Sequence, residues 1–518
     1  MKPFLIFLIL IVHASIFKAQ YLDPSFSTDG YDVQHIGTVS YSYKLVLQAD
    51  NKIISAGTAY VPGHDYDFVV MRYTEEGMPD ITFGEDGIST IDFSADEDHA
   101  SSLVLQDDGK ILIAGTSNNV AGNNFGIVRL NTDGSIDTTF AENGFLLFQP
   151  ENKTCGIDAA CLQPDGKIIA AGNTNDSTGS NIETLIARFQ ANGKIDSTFG
   201  INGLLYLKID SNRTSISCAE VSDENKILIG GGYWPENGAD FFLARLNSNG
   251  DPDTSFNHAG YTITDLFASK EIISSIAITP EGKIIGAGNS YDELSYSGFG
   301  MARWNEDGTL DNSFGIGGKS ITEFDYDLNE GNDYANDLVI QPDGKLVVAG
   351  YRYDFLDGEF IAIARYLVNG VLDISFGDGG KILSKIGSNC FADAIALNDE
   401  GKILISGASD NSFLIARFLS EDATSIANQH TNQIPVLSPN PCASVTFLSY
   451  TLTEKTNISI CLYDQAGKKI TGLVENKMMD AGKYAQTISF PDHLPAGNYF
   501  IEITSDIDHK AIHLIKTE

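Results

Sequence analysis

Apolar residues in this chain come in short runs separated by turns rich in glycine, asparagine and aspartate, and the pattern recurs. SLVLQ (102–106), KILIAG (110–115), FGIVRLN (125–131) and FLLF (145–148) are four such runs in one stretch. DDGK (107–110) turns the first into the second, with Gly109 free to take positive φ, and TDG follows the third. Runs this short with turns this close predict β-strands. No helix-period segment fits between the glycines.

The four-run unit repeats. Its turn lysines are Lys52, Lys110, Lys167, Lys226, Lys283, Lys345 and Lys402, spaced by 58, 57, 59, 57, 62 and 57 residues. Glycine follows each by five residues, from Gly57 and Gly115 to Gly407. Four strands per unit, seven times, predict an all-β fold: a seven-bladed β-propeller over residues 21–420.

The third run of every unit carries an arginine: Arg72, Arg129, Arg188, Arg245, Arg303, Arg365 and Arg417. Six of them have aspartate eight residues later, across a hairpin, as in Arg72 and Asp80. Such a cross-strand pair contributes roughly 0.2–1 kcal/mol. Arg417 lacks its aspartate, and Asp23, in the same Leu-Asp-x-Ser-Phe phrase, lacks its arginine. One orphan of each kind at opposite ends is what a closed ring predicts. The segment 21–37 is then the fourth strand of the last blade, and Asp23 pairs with Arg417. A group present in every blade reads as a structural staple and not as a ligand site.

The phrases LDNSFGIGG (310–318), QPDGKLVVAG (341–350) and IARYLVNGVLDISFG (363–377) resemble delta-60 repeats, a bacterial propeller family. The likeness covers residues 21–420 and implies the fold but no chemistry. ADNK (49–52) and DENK (223–226) put asparagine where glycine is usual, and SFN (255–257) ends without glycine. Asparagine tolerates positive φ, so these turns should survive.

After Phe418 the pattern stops. Residues 421–435 are polar and aperiodic, as in a linker. Residues 436–518 resume alternation in NISICLYD (457–464) and NYFIEI (498–503), which predicts a small C-terminal β-sandwich. SPNP (438–441), YDQAGKKI (463–470), LPAGNYFIEI (494–503) and HLIK (513–516) resemble the type A C-terminal sorting domain of the type IX secretion system. That resemblance implies type IX secretion machinery as a partner. It also implies a protein secreted or attached to the outer cell surface, with a removable tail.

The start of the chain agrees with export. Lys2 precedes an apolar run from Phe4 to Val12, and Phe17-Lys18-Ala19 places a small residue before Gln20. This is the order of a signal peptide, residues 1–19, and the run is too short to span a bilayer. No later segment is apolar enough to do so. The formal charge is -36, a surface that repels phosphate backbones and excludes nucleic acid as a partner. The six cysteines fit no zinc pattern. They are expected as free, half-buried thiols, with Cys155–Cys161 and Cys442–Cys461 as the alternative pairings.

Variable loops gather on one face, where recognition usually resides. The second-to-third loops hold YVPGHDYD (60–67), YWPENGAD (233–240), NSYDELSYSG (289–298) and YRYDFLDGE (351–359). Aromatics beside Asp and Asn suit sugar or protein contacts, so Tyr66, Trp234, Tyr296 and Tyr353 are the candidate ligand-binding residues. The fourth-to-first loops hold SADEDH (94–99) and DYDLNEGND (325–333). Asp96, Asp98, Asp325, Asp327 and Asp333 there are candidate calcium ligands; solvated acidic loops are the plainer reading. No nucleophile motif, zinc motif or phosphate loop is present, and no carboxylate pair stands out for glycoside chemistry. The expectation is a non-catalytic recognition propeller binding a glycan or an extracellular protein. The alternatives are a secreted glycan-degrading enzyme with carboxylates at the channel mouth, or a structural scaffold.

Overall fold

The computed structural model describes residues 21–517 except 64, 94–96, 120–121, 152, 177–181, 211, 237, 267–269, 292–296, 325–330, 421–435, 439–444, 453–454, 465–467, 491–493 and 506–508. Every regular element among the described residues is a β-strand. Between Tyr31 and Phe418 the strands form four-stranded antiparallel sheets, repeated in chain order, the arrangement expected of a β-propeller. In the first sheet the strands are Val39–Leu47, Ile53–Tyr60, Tyr66–Tyr73 and Ile88–Ile91. The seventh sheet departs from strict chain order. Cys390–Leu397, Ile403–Ser409 and Ser412–Phe418 supply three strands, and Tyr31–Gln34 pairs with the last of them, Tyr31 opposite Ala416.

The middle strands are buried almost throughout. Ile53–Tyr60 and Tyr66–Tyr73 each keep one residue with appreciable exposure, because sheets pack on both of their faces. That is why they read as continuous apolar runs. The first strands alternate instead, as Gly331–Ile340 does. Each apolar core joins two neighbouring sheets. Ile53, Val69 and Met71 of the first sheet share one with Leu404, Phe413 and Ile415 of the seventh.

The glycine five residues after each turn lysine has one cause. Opposite it the first strand is bulged, with register breaks such as Ser42/Lys44, Ala335/Asp337 and Ala392/Ala394. A Cβ on Gly350 would lie 1.8 Å from the Tyr334 carbonyl oxygen, and one on Gly57 1.8 Å from that of Tyr41. Only glycine fits. The asparagines that replace turn glycine take the same conformation: φ is 62° at Asn51, 59° at Asn225 and 45° at Asn257.

In the C-terminal region, Val436–Ser438, Val445–Leu452 and Gly482–Ser489 form one sheet. Lys469–Met479, Thr456–Asp464, Gly497–Ser505 and His509–Lys516 form another. Leu448, Tyr450 and Ile488 from the first share a core with Ile460, Leu462 and Ile501 from the second. Cys155, Cys161, Cys218, Cys390 and Cys461 are free, and all but Cys218 are buried and not half-buried as expected. Cys155 and Cys161 lie in different apolar cores, which rules out their pairing. Cys442, the expected signal peptide and the linker lie outside the described residues. No helix among the described residues is long and apolar enough to cross a membrane.

Candidate functional site

The recurrent charged phrase forms one assembly, made seven times. Each arginine Nε lies 2.7–3.0 Å from its aspartate Oδ2. The turn lysine joins the same oxygen at 2.6–3.6 Å. The other carboxylate oxygen accepts from the Ser or Thr two residues on, as Ser25 N and Oγ donate to Asp23 Oδ1 at 3.0 and 2.6 Å. Each guanidinium lies 4.6–4.9 Å from the ring centre of the phrase's phenylalanine. Its Nη1 then reaches out of the sheet to a backbone carbonyl in the next one. Arg72 donates to Thr132, Arg129 to Ala191 and Arg365 to Ser420.

Arg417 meets Asp23 at 2.8 Å, with Lys402 at 2.9 Å, and donates to the Glu75 carbonyl of the first sheet at 2.8 Å. Burial alone would raise the Asp23 carboxyl. The hydrogen bonds from Ser25 and Lys402 and the Arg417 charge outweigh it and hold the group well below the usual carboxylate range. The sequence pointed to the pair. It did not reveal the lysine's part or the link between sheets.

A second feature breaks the repetition. The residue eleven before the turn lysine is Tyr41, Tyr334 and Phe391 in the first, sixth and seventh sheets, and His99, Gly156, Ser215 and Ile272 elsewhere. These three rings belong to a row. Tyr291 stands 6.3 Å from Tyr334, which stacks on Tyr351 at 4.6 Å and 18°. Tyr351 is 5.9 Å from Phe391, Phe391 6.0 Å from Tyr41, and Tyr41 6.3 Å from Tyr43. All six are half-buried. Tyr41, Tyr334 and Phe391 lie in the first halves of first strands and Tyr291 and Tyr351 in the second halves of second strands, toward the variable loops, and Tyr43 sits at the bulge of its first strand. Sequence reasoning placed Tyr291 and Tyr351 in second-to-third loops but chose Tyr296 and Tyr353 there, and it passed over Tyr41, Tyr43, Tyr334 and Phe391 in the first strands. The column of aromatics eleven before the lysine was the available signal.

Carboxylates border this row. Asp393 occupies the bulge of the seventh sheet, and Asn336 Nδ2 donates to it at 2.9 Å. Desolvation pushes its carboxyl up to about 7, reinforced by Asp337 and Glu359 and opposed by Lys44. Desolvation likewise raises Asp158, in the bulge of the third sheet, to about 6 against a hydrogen bond from Asn173.

The sequence-predicted ligand residues are placed as follows. Tyr66 begins a third strand, its ring 5.3 Å from Tyr60 and 5.1 Å from His99. Trp234 ends a second strand and donates from Nε1 to Ser215 Oγ at 3.0 Å. Arg213 lies 5.5 Å and Lys270 5.1 Å from its ring centre. Tyr353, 39% exposed, packs edge-on against Phe355 beside the open side chain of Leu356. Tyr66, Trp234 and Tyr353 thus lie in three different sheets. Tyr296, Asp96, Asp325 and Asp327 lie outside the described residues.

Asp98 and Asp333 are buried strand residues and not loop residues. Asp333 accepts from Arg352 Nη1 at 3.0 Å and from Phe324 N at 2.7 Å. Asp98 accepts from Phe93 N at 2.9 Å and lies with Asp67 and Asp92, their carboxylate oxygens within 4.8 Å of one another. Asp240, Asp265 and Glu271 form a like group. All of these donors are hard oxygens, which suit calcium or magnesium and not zinc.

Six segments match the profile of the domain of unknown function (DUF5122) beta-propeller: 48–83, 106–140, 163–199, 225–256, 279–314 and 341–376. Residues 437–517 match the secretion system C-terminal sorting domain. The chain carries DUF5122 propeller repeats and a type IX sorting domain. Such a tail indicates export to the cell surface or the extracellular space. None of the curated proteins compared matches the chain. Among solved structures, a protein of unknown function from Dyadobacter fermentans is 11% identical, with 77% of this chain and 100% of that one covered and a TM-score of 0.41. A polysaccharide lyase of family PL25, an ulvan lyase, is 11% identical over 76% and 96%, with a TM-score of 0.43. The propeller domain of the trilobed protease from Pyrococcus furiosus is 10% identical over 75% and 96%, with a TM-score of 0.39.

Proposed function

We propose that this is an exported recognition propeller. In this reading a signal peptide (1–19) is removed, and residues 21–420 close into seven blades through the N-terminal strand. A linker (421–435) then leads to the sorting domain (436–518), which type IX machinery reads. The pairing of Tyr31–Gln34 with the last sheet and the core shared by the first and seventh sheets support closure. The loop face binds an extracellular glycan without turnover.

The observation that carries the glycan reading is the half-open row Tyr291, Tyr334, Tyr351, Phe391, Tyr41 and Tyr43. Flat apolar rings beside hydrogen-bonding carboxylates match a sugar, whose C–H faces stack and whose hydroxyls need acceptors. An extracellular protein would use the same face.

The test is a glycan array probed with the full chain. Tyr351→Ala and Phe391→Ala should each weaken the retained glycan at least tenfold while leaving the melting temperature within about 2 °C, a shift worth roughly 1.5–2 kcal/mol in a domain this size. Retention unchanged in both variants would remove the row from the site. A blank array would point to a protein partner.

One observation favours a second reading, a glycan-degrading enzyme. Asp393, raised to about 7, is half protonated near neutrality, as a general acid must be. Release of shortened glycan that Asp393→Asn abolishes would establish it.

A further inference from the structure

The same strand positions meet at every junction between neighbouring sheets, so the junctions can be compared. Four positions matter: five before the arginine, the end of the fourth strand, twelve before the next turn lysine, and the residue opposite that last one. Between the seventh and first sheets the positions hold no carboxylate, with Ser412 Oγ bonded to His35 Nδ1 at 2.6 Å and Ser40 Oγ accepting from Phe413 N. Between the fifth and sixth sheets, Asp333 faces its cross-strand neighbour Arg352, a built-in cation.

Between the first and second sheets the positions hold Asp67, Asp92 and Asp98, and the place of Arg352 is taken by Ser117. Three carboxylates converge here with no guanidinium at that position. Asp67 and Asp98 are 2% and 0% exposed, where charge is costly and favours paired or metal-bound carboxylates. Ser117 is also fully buried, and its Oγ has no hydrogen-bond partner. It lies directly opposite Asp98 in the ladder, so both side chains leave the same face of the sheet, toward the other two aspartates. The set Asp240, Asp265 and Glu271 repeats the carboxylate pattern between the fourth and fifth sheets.

We propose that a calcium ion binds between the first and second sheets, held by Asp67, Asp92 and Asp98 with Ser117 Oγ completing the buried side. The donors are all oxygen. Their oxygens lie within 4.8 Å of one another, close enough for one ion to bridge them at calcium–oxygen distances of about 2.4 Å. Half-buried Asp92 leaves a side for water ligands. The ion takes the role that Arg352 plays in the other junction: it neutralises the seam and ties one sheet to the next.

The experiment uses the full chain stripped with EDTA. Calcium at millimolar level should raise the melting temperature by at least about 2 °C, since binding to the folded state alone stabilises it. Terbium should luminesce on tyrosine excitation, with Tyr66 adjacent in sequence to Asp67. Asp98→Asn and Asp92→Asn should each abolish the calcium-dependent shift and at least halve the terbium signal. Asp107→Asn, in an exposed turn, should change neither. Half-buried Asp92 keeps the test decisive if the Asp98 variant misfolds. A melting temperature indifferent to calcium, or a shift that both junction variants retain, would overturn the proposal.

Discussion

Asp23 shows how much one carboxylate can organise. It receives a lysine from the first-to-second turn, an arginine from the third strand and a serine two residues on, and that arginine reaches the next sheet. Lysine could not replace the arginine, because only a planar guanidinium serves three partners and a ring at once. Removing the arginine leaves a buried charge with less compensation, a change that costs about 3–5 kcal/mol. Arg417→Ala should therefore lower the unfolding free energy in denaturant by about that much, and Arg417→Lys by more than half of it. Equal stability of the lysine variant and the native chain would mean that the charge alone suffices.

Among the elements, the bulged first strand decides most. It forces glycine opposite, and at its break it turns out a side chain, Tyr43, Asp158 or Asp393, that a regular ladder would have kept in register. Gly350→Ala should cost about 3 kcal/mol or more, because its Cβ would strike backbone and not a yielding side chain. Chemical denaturation reads this directly; a loss under about 1 kcal/mol would mean that the bulge can slide. The sequence showed the glycine column, but its cause lies in a strand whose first half was read as loop. Middle strands are apolar on both faces and stand out. First strands alternate, and their polar members, Asp98 and Asp333 among them, resemble loop residues when read singly.

At the scale of the whole molecule, acidic groups act in two opposed directions. The staple aspartates, such as Asp253 at about 2, have folded values below the unfolded one, with bonds from Ser255 and Lys226 and the Arg245 charge outweighing desolvation. Their contribution is complete above about pH 4 and is lost as pH falls. Asp393 and Asp158 are raised, to about 7 and about 6, so the folded state holds their protons more tightly. That contribution is complete below about pH 4 and is lost as pH rises to about 7. Melting temperature should therefore peak at about pH 4 to 5 and decline from there toward pH 7. Asp393→Asn should flatten the decline from pH 5 to 8, and an unaltered decline would assign it to other groups.

The sequence by itself determined the period, the four-strand unit, the turns, the Arg–Asp pairs and the sorting tail. Each is local: a hairpin brings residues eight apart together, and repetition makes the signal clear. The orphans Asp23 and Arg417 extended this to one distant pair, because a repeat missing half its partners at each end has one obvious completion. Only the tertiary structure decided which side chains meet across the seams. Tyr351 finds Phe391, and Asp98 finds Asp67, through the packing of separate sheets. The face that each first-strand residue presents depends on a bulge and on the neighbouring sheet, and neither is written in the local pattern of apolar and polar residues.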